Sequence, residues 1–357
     1  MKNNSHIAML GTAPSAAGGI ASVISVYGDS GIMKDLDIIY ITTHCNGSAW
    51  KKLSILFKAC CNFTSLIVTG KVKIVHLHLA CGMSFWRKSL FAVYTTIFHL
   101  PLVIHLHSGY FPQYYRNASS LTRLAIRSIL RRASASIAVS SELKSWLDKT
   151  SNSHYTAVIH NPIYMSMRLG VKEREKSKIV FLGRIEPAKG ILDLILAVQR
   201  ISLTHPDIRL VIAGTGDIAG MKKMAADLGI AANIDFPGWV AGPAKSALLS
   251  SATLLVLPSY AEGMPMAVLE AMAHGTAVIA TDVGGIPEAV RDTVEGLLVP
   301  AGDVSKLAQA IALLLSNSEL RERMGKAGKD AIRQRFSPAS TSAALSDLYA
   351  RLQPQRS

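Results

Sequence analysis

Two glutamates eight positions apart bound the most informative stretch of this sequence, Glu262-Gly-Met-Pro-Met-Ala-Val-Leu-Glu270. An apolar run, Thr253–Leu257, precedes it and predicts a buried strand. Pro265 suits the first turn of a helix, where no N–H donor is needed. If the whole stretch were helical, the carboxylates would lie roughly 12 Å apart at ~1.5 Å per residue. Paired carboxylates in glycoside hydrolases are only ~5–9.5 Å apart, so this spacing favours opposite ends of one elongated ligand.

Two cations and several glycines could hold the anionic part of such a ligand. Arg184 follows a predicted strand, and Lys189 precedes a predicted helix. Two cations on one turn can clamp both phosphates of a nucleoside diphosphate and stabilise the charge on it as it departs. The alternative is a pair of exposed surface charges. The loop Gly18-Gly19-Ile20 could bring backbone N–H groups close to a phosphate. Plain structural turns would also explain that loop and Gly214.

Histidines end two of the predicted strands in the first half. His107 closes Val103–His107, where a side chain can hydrogen-bond a ligand beyond the carboxyl end of a parallel sheet. His105 points to the same face two residues earlier and could be the real contact. His78 is a weaker candidate of the same kind, and a structural role is the general alternative for all three.

Together these motifs resemble the retaining glycosyltransferases of the two-domain GT-B fold, family 4 in particular. Residues 178–335 follow the family pattern almost continuously. The first half matches only in the glycine loop, the histidine-ended strands and Asn161-Pro162. The matching stretches of the second half are Phe181–Gly190, Leu210–Asp217, Glu262–Glu270, Gly275–Gly285 and Glu295–Val299.

The resemblance implies an α/β protein with two Rossmann-like domains, each a doubly wound parallel sheet, that face each other across a cleft. We expect an acceptor-binding domain over 1–165, a polar linker over 166–177 and a nucleotide-sugar-binding domain over 178–337. A final helix over 338–357 would return to the first domain. The apolar runs that predict strands are His6–Leu10, Asp37–Thr42, Ile74–His78, Leu102–His107, Ala135–Val139, Thr156–Ile159, Ile179–Leu182, Arg209–Ala213, Ile234–Phe236, Thr253–Leu257 and Val278–Ala280.

The resemblance also implies roles for the residues introduced above. Glu270 would hold the ribose hydroxyls, and Glu262 would contact the donor sugar together with nearby backbone N–H groups. The cations and the Gly18-Gly19 loop would carry the leaving diphosphate, and His107 would bind the transferred sugar. The implied donor-binding residues are Gly18, Gly19, Arg184, Lys189, Gly214, Glu262, Gly263, Met264 and Glu270. The implied catalytic residues are His107, Arg184, Lys189 and Glu262.

No residue stands out as a covalent nucleophile. This absence is compatible with front-face attack, in which the departing phosphate oxygen takes the proton of the acceptor hydroxyl. Asp35-Leu36-Asp37 matches a metal-binding D-x-D pattern, but it precedes a strand instead of following one. Because Arg184 and Lys189 can serve the diphosphate, we expect no metal and no cofactor.

Charge is concentrated in the first half of this chain of 357 residues with net charge +14. Residues 1–176 hold 20 Lys and Arg against 7 Asp and Glu, whereas residues 177–357 hold 18 against 17. Such a surface favours anionic partners. A helix over Leu121–Arg132 would carry arginines opposite leucine and isoleucine, as a helix lying on anionic lipid does; a solvated basic face is the alternative. Nothing resembles a nucleic-acid recognition motif.

The remaining composition indicates a cytoplasmic chain on the inner face of the membrane. The four cysteines lack metal-type spacing, which favours a reducing compartment. The most apolar run, Ser89–Ile104, is shorter than the ~20 residues of a membrane span. The first strand begins at once, so no signal peptide is expected.

The expected function is therefore transfer of a hexose from a UDP- or GDP-sugar to a lipid-linked or saccharide acceptor in surface polysaccharide assembly. Two alternatives share the fold: a sugar-nucleotide epimerase or hydrolase, and a nucleotide-sugar-binding protein without catalysis. The nucleotide base, the sugar and the linkage do not follow from these residues.

Overall fold

The computed structural model describes residues 5–151, 155–164 and 174–353, and the chain divides into two compact units. Unit 1 comprises Met1–Tyr164 and Ser337–Ser357, and unit 2 comprises Met165–Phe336. Most of the predicted linker lies outside the described residues. Its last part is tied to unit 2, because the Arg174 guanidinium donates to the carbonyl oxygens of Ala252, His274 and Gly275.

Unit 1 is built on a parallel sheet with strand order β2-β1-β3-β4-β5-β6. Its strands are β1 (His6–Thr12), β2 (Ile38–His44), β3 (Val72–Leu79), β4 (Leu102–Leu106), β5 (Ala135–Ala138) and β6 (Thr156–Val158). Its helices before the linker are α1 (Gly19–Asp29), α2 (Ile32–Asp35), α3 (Ala49–Val68), α4 (Met83–Ile97), α5 (Phe111–Arg116), α6 (Ser120–Leu130) and α7 (Ser141–Ser151).

Unit 2 repeats this architecture with strand order β12-β11-β10-β7-β8-β9, again parallel. Its strands are β7 (Lys178–Leu182), β8 (Arg209–Ala213), β9 (Ile234–Gly238), β10 (Leu254–Leu257), β11 (Ala277–Thr281) and β12 (Gly296–Val299). Its helices are α8 (Ile191–Ser202), α9 (Ile218–Asp227), α10 (Gly242–Ser251), α11 (Met266–Ala273), α12 (Ile286–Ala289), α13 (Val304–Ser316) and α14 (Ser318–Arg335), with short 3-10 turns at Pro187–Lys189 and Ala231–Asn233.

The last helix, α15 (Pro338–Leu352), belongs to unit 1. The hydroxyl of its Thr341 donates to the carbonyl oxygen of His160. Its Tyr349 is buried and lies 2.5 Å, oxygen to nitrogen, from Nδ1 of His76 on β3. The helix therefore packs on the sheet of the unit in which the chain begins.

The sheets follow from the apolar runs of the sequence. Parallel strands covered by helices on both faces bury nearly every side chain, and the central strand β10 is buried throughout. The prediction of two doubly wound parallel sheets is confirmed, and each predicted strand coincides with an observed one to within a few residues. The strand β12 was not predicted.

The stretch between the two glutamates is helical only in its second part. Helix α11 begins at Met266, and Pro265 precedes it in an extended conformation (φ −73°, ψ 116°). Glu262 lies in the loop that follows β10, so the helical spacing of the two carboxylates does not apply. Among the described residues, no helix combines the length and the apolar character that crossing a bilayer needs.

Because β10 and β7 are neighbours in the sheet, the loops that leave their carboxyl ends meet. Gly190 is required at this meeting point. Its φ is +64°, and a Cβ there would lie 1.9 Å from the carbonyl oxygen of Pro258. The two loops therefore approach each other through a position that only glycine fits.

We expect Gly190→Ala to lower the free energy of unfolding by about 3 kcal/mol or more, since backbone must shift to admit the methyl group. Gly229→Ala is the matched control, because Gly229 has a similar φ of +73° with no atom within 4 Å of its Cβ position. It should cost only about 1–2 kcal/mol of left-handed strain. Urea denaturation measures both, and equal losses would contradict the steric role of Gly190.

Candidate functional site

The loops after β7 and β10 form the centre of the candidate site in unit 2. The first loop carries Lys189 in a short 3-10 turn, and the second carries Glu262. The backbone N–H of Tyr260 donates to the carbonyl oxygen of Ala188 at 2.9 Å. The two segments are thus joined through their backbones, as the open ends of neighbouring parallel strands allow.

Lys189 and Glu262 form an ion pair at this junction. Nζ of Lys189 donates to Oε1 of Glu262 at 2.6 Å, and Oγ of Ser259 donates to the same oxygen at 2.7 Å. The Glu262 side chain is only 9% exposed. A buried carboxylate needs such partners, because removing a charge from water costs several kcal/mol otherwise. Ser259 and Lys189 therefore fix where the Glu262 carboxylate lies.

Gly284, in the loop after β11, packs against the backbone of Glu262. Its φ is +58°, and a Cβ there would lie 1.8 Å from the carbonyl oxygen of Glu262. A third strand end therefore packs directly on the Glu262 backbone. Gly263 and Met264 complete the buried bend between Glu262 and α11.

Glu270 lies on α11 and forms a second ion pair. Nζ of Lys245, on α10, donates to Oε1 of Glu270 at 2.6 Å. One turn later, His274 donates from Nδ1 to the carbonyl oxygen of Glu270 and accepts from Ser246 on Nε2. The two glutamates of the motif are therefore each neutralised by a lysine, and each lysine comes from a different element.

Arg184 and Gly214 have other surroundings. The Arg184 side chain is 73% exposed, and its Nε lies 3.2 Å from Oε2 of Glu186. Lys189 pairs instead with Glu262, so the structure does not show the two cations acting on one group. A Cβ at Gly214 would lie 1.7 Å from the carbonyl oxygen of Gly183. Close packing of two strand ends is sufficient reason for that glycine, and a contact with the donor stays a prediction.

The candidate residues of unit 1 lie after its own central strands. Gly18 caps α1 with φ 133°, and Gly19 is the first residue of that helix. His107 directly follows β4, is partly exposed and lies 2.7 Å from His78, Nε2 to Nδ1. His105, the alternative to His107, is fully buried, so it does not reach the surface at the strand end.

Burial keeps these histidines neutral. Desolvation, reinforced by the nearby Lys88 ammonium, lowers the pKa of His107 to about 3. Desolvation also lowers the pKa of His76 to about 3 and those of His78 and His105 well below 6.5. Lys88 is itself fully buried, donates to the carbonyl oxygen of His78, and has its pKa lowered by burial to about 7.

One group of side chains in the described part of the chain has the composition of a metal site. His76, His78 and His105 each offer a ring nitrogen, and these nitrogens lie within 4.8 Å of one another. Neutral imidazoles suit Zn²⁺ and similar ions. However, both nitrogens of His76 already have hydrogen-bond partners, at Tyr349 and His105. The group is therefore better described as a hydrogen-bonded cluster.

The basic helix of unit 1 differs from its prediction. Helix α6 buries Ile126 and Leu130, but Leu121 and Leu124 are exposed beside its arginines. The apolar side chains therefore do not form one packed face opposite the charges. In the nearby aromatic stretch, Phe111 is buried and packs against Phe85.

A more apolar surface lies on α3, which the sequence pattern did not single out. Trp50, Leu53 and Phe57 share one face of this helix and are 82%, 58% and 69% exposed. We call these three residues the α3 face. Exposed lysines lie beside it at positions 51, 52 and 58.

Sequence reasoning also missed two residues of the unit 2 site, Lys245 and Ser259. Ser259 could have been found, because it stands only three residues before Glu262. Lys245 could not, because a single lysine on a surface helix gives no signal.

Comparison with known proteins connects this geometry to a family. The pattern of group 1 glycosyl transferases matches residues 168–331, and that of Glycosyltransferase Family 4 matches residues 6–166. The phosphatidyl-myo-inositol mannosyltransferase of Mycobacterium leprae is 30% identical over 280 residues, which are 75% of this chain and 71% of that protein. A D-inositol 3-phosphate glycosyltransferase of Mycolicibacterium paratuberculosis is 40% identical over 147 residues, 40% of this chain and 32% of that protein.

Solved structures share the fold. Sucrose-phosphate synthase from Thermosynechococcus elongatus superposes with a TM-score of 0.79 at 21% identity, covering 98% of this chain and 99% of that one. The Anabaena protein HepE, solved in complex with UDP and glucose, has a TM-score of 0.75 at 18% identity, covering 97% and 100%. Both are similar in fold along nearly the whole chain.

We expect unit 1 to lose stability as the pH falls below 6.5. The unfolded chain protonates its histidines near that pH, whereas His76 and His107 stay neutral in the folded state down to about pH 3. Each such imidazole should therefore cost about 1.4 kcal/mol at pH 5.5 relative to high pH. Urea unfolding followed by tryptophan fluorescence measures this, since Trp50, Trp86 and Trp146 all lie in unit 1.

His76→Leu removes one of these imidazoles and should make the stability difference between pH 7.5 and pH 5.5 smaller by about 1.4 kcal/mol. His205→Gln, at a partly exposed histidine of unit 2, is the comparison variant, because it removes an imidazole that lies outside the buried histidines of unit 1. Parallel pH profiles for His76→Leu and the wild type would show that His76 is not neutral by burial.

Proposed function

We propose that this chain, which belongs to glycosyltransferase family 4 and is a hexosyltransferase with the GT-B fold, moves a hexose from a UDP- or GDP-sugar to a hydroxyl group of a lipid-linked or saccharide acceptor. The anomeric configuration of the sugar is retained. The reaction serves the assembly of a cell-surface polysaccharide. The donor binds to unit 2, and the acceptor is taken up by unit 1.

The ion pair between Lys189 and Glu262 is the observation that carries this proposal. It places a cation and a carboxylate together at the carboxyl edge of the unit 2 sheet, where ligands of such sheets bind. An arriving diphosphate attracts the Lys189 ammonium, which frees Glu262 to accept hydrogen bonds from sugar hydroxyls. Lys189 then stabilises the charge of the leaving diphosphate, and Arg184, which is exposed beside Glu186, can assist.

The nucleoside end of the donor lies toward Glu270. Its carboxylate has one oxygen bonded to Lys245, and a carboxylate can accept further bonds from the two ribose hydroxyls. The complex of HepE with UDP and glucose supports a uridine nucleotide, and the similarity to mannosyltransferases is compatible with either base. Binding of UDP and GDP compared side by side decides between them.

Retention follows from attack on the face from which the diphosphate leaves. The departing phosphate oxygen takes the proton of the acceptor hydroxyl, and His107 holds the sugar through a neutral imidazole. Neither step needs a metal ion, because Lys189 and Arg184 supply the positive charge. Positioning and leaving-group stabilisation then supply the rate enhancement.

The acceptor carries a lipid, and the protein meets it at an anionic membrane surface. The α3 face together with the lysines beside it supports this part of the proposal. Aromatic and leucine side chains on one side of a helix, with lysines next to them, are the composition of a helix that lies in a lipid interface. The excess of basic residues in unit 1 adds attraction to anionic headgroups.

The first experiment separates donor binding from turnover. Glu270→Ala should weaken nucleotide binding at least about tenfold, since hydrogen bonds to a charged group contribute roughly 1.5–3 kcal/mol. Glu262→Ala should keep nucleotide binding and lower kcat about a hundredfold. Thermal shifts with UDP, GDP and their sugars, followed by turnover with a lipid-linked acceptor, measure both.

Glu322→Ala, at an exposed carboxylate on α14, is the matched control and should behave like the wild type. If Glu270→Ala and Glu262→Ala also behave like the wild type, the assignment of the donor site is wrong. Release of free sugar at the same rate with and without acceptor would favour a hydrolase, and tight binding without turnover would favour a nucleotide-sugar-binding protein.

The second experiment tests the membrane surface. Replacing Trp50 and Phe57 by serine should reduce binding to vesicles that contain phosphatidylglycerol by at least about a hundredfold, because each apolar side chain contributes roughly 1.5–3 kcal/mol. Leu203→Ser removes an equally exposed leucine from unit 2 and should change nothing. Co-sedimentation measures binding, and equal binding to neutral and anionic vesicles would contradict the proposal.

A further inference from the structure

A ladder of aromatic rings runs through the interior of unit 1. His76 and His78 on β3, and His105 and His107 at the end of β4, point to one face of the sheet. Their rings lie nearly parallel, with centroids 4.7 Å apart for His76 and His78 and 4.1 Å apart for His105 and His107. Tyr349 of α15 closes one end, because its hydroxyl contacts His76. We call these five side chains the histidine ladder.

The hydroxyl of Tyr349 must be a donor. Burial raises the pKa of Tyr349 well above 10, so its oxygen keeps its hydrogen. Among the described residues, its hydrogen-bond partner is Nδ1 of His76. The 2.5 Å separation of oxygen and nitrogen suits an O–H donor, because N–H donors normally lie about 2.9–3.0 Å from their acceptors. The hydrogen of Tyr349 therefore points to His76.

This direction sets the tautomers of two histidines. A neutral imidazole carries one N–H, and His76 accepts on Nδ1, so its hydrogen is on Nε2. Nε2 of His76 lies 3.2 Å from Nδ1 of His105. His105 then accepts on Nδ1 and carries its own hydrogen on Nε2, which is buried and has no hydrogen-bond partner among the described residues. One tyrosine hydroxyl thus fixes the proton positions of both imidazoles.

The same ladder confines the ring of His107. The ring of His105 stacks on one side of it, and Nε2 of His107 is held by Nδ1 of His78 at 2.7 Å. His78 is in turn stacked on His76 at 4.7 Å. The side chain of Asn161 also hydrogen-bonds His107. A rotation of His76 or His105 would therefore remove the stacking part of the support for the orientation of His107.

A metal ion is the competing explanation of the cluster. Tetrahedral coordination at the usual ~2.0–2.1 Å would require the ligand nitrogens to lie closer to one another than the observed spread of up to 4.8 Å. It would also require His76 to give up one of its two hydrogen bonds. The hydrogen-bonded ladder needs no such rearrangement.

We propose that Tyr349 is a positioning residue for the transfer reaction: by donating to His76 it fixes the tautomers of His76 and His105 and, through the stacking of these rings on His78 and His107, the orientation of His107. The role of His107 toward the donor sugar is part of the proposed function, and the inference rests on it. The state of the ladder itself does not depend on that role, so it can be measured without any substrate.

Tyr349→Phe removes the hydroxyl and keeps the ring. In ¹⁵N spectra of histidine-labelled protein, the wild type should show His76 and His105 as Nε2–H tautomers, assigned with single substitutions. In Tyr349→Phe, His76 should show a mixture of both tautomers, because nothing donates to its Nδ1. With donor and acceptor supplied, kcat should fall about tenfold at an unchanged KM for the donor, as for a misoriented group.

Tyr155→Phe is the matched control, since the Tyr155 ring contacts Arg351 of the same helix and lies outside the ladder. Its spectra and kcat should equal those of the wild type. His76→Gln removes the imidazole that accepts from Tyr349 and should lower kcat as Tyr349→Phe does. This second variant allows the test to be made even if Tyr349→Phe folds poorly.

Three results would overturn the inference: unchanged histidine tautomers in Tyr349→Phe, unchanged kcat in both ladder variants, or one zinc ion per purified chain whose removal changes the histidine signals. Full activity of His107→Ala together with the expected tautomers would instead contradict the role of His107 in the proposed function. The two failures are therefore distinguishable.

Discussion

The ion pair between Lys189 and Glu262 is the contact around which the candidate site of unit 2 is arranged. It joins the loops of two neighbouring parallel strands, and three separate chain segments hold it in place: the 3-10 turn with Lys189, the loop with Ser259, and Gly284 against the Glu262 backbone. In a buried setting neither charge is stable alone. The site proposed to receive a diphosphate and the hydroxyls of a sugar is thus kept ordered by two charges that could exchange partners when the donor binds.

The two units use opposite electrostatics for their interior polar groups. Unit 2 places full charges in pairs, whereas unit 1 collects imidazoles that burial keeps neutral. The difference suits the two kinds of group in the proposed donor. A diphosphate needs cations, whereas the hydroxyls of a hexose need hydrogen-bond donors and acceptors, which a carboxylate or a neutral imidazole can supply.

The sequence was sufficient for the strands and for the loops that end them, because both depend on local pattern. Doubly covered parallel strands read as short apolar runs, and the Glu262 loop and the Arg184–Lys189 turn could be placed after such runs. The side chains that pair with these site residues could not be predicted in the same way. Lys245 reaches Glu270 from a helix 25 positions earlier, and Tyr349 reaches His76 across 273 positions. Such contacts exist only once helices have packed.

The exposure of the α3 face could not be predicted from the sequence, for a related reason. A helix with apolar residues at positions 50, 53 and 57 normally predicts packing on a core. Only the fold shows that these three side chains are exposed, whereas Ala59, Phe63 and Ile67 of the same helix are buried. Exposing three large apolar side chains is unfavourable by roughly 1.5–3 kcal/mol each relative to burial. A lipid interface offsets that cost and also satisfies the neighbouring lysines, which an apolar protein partner would not.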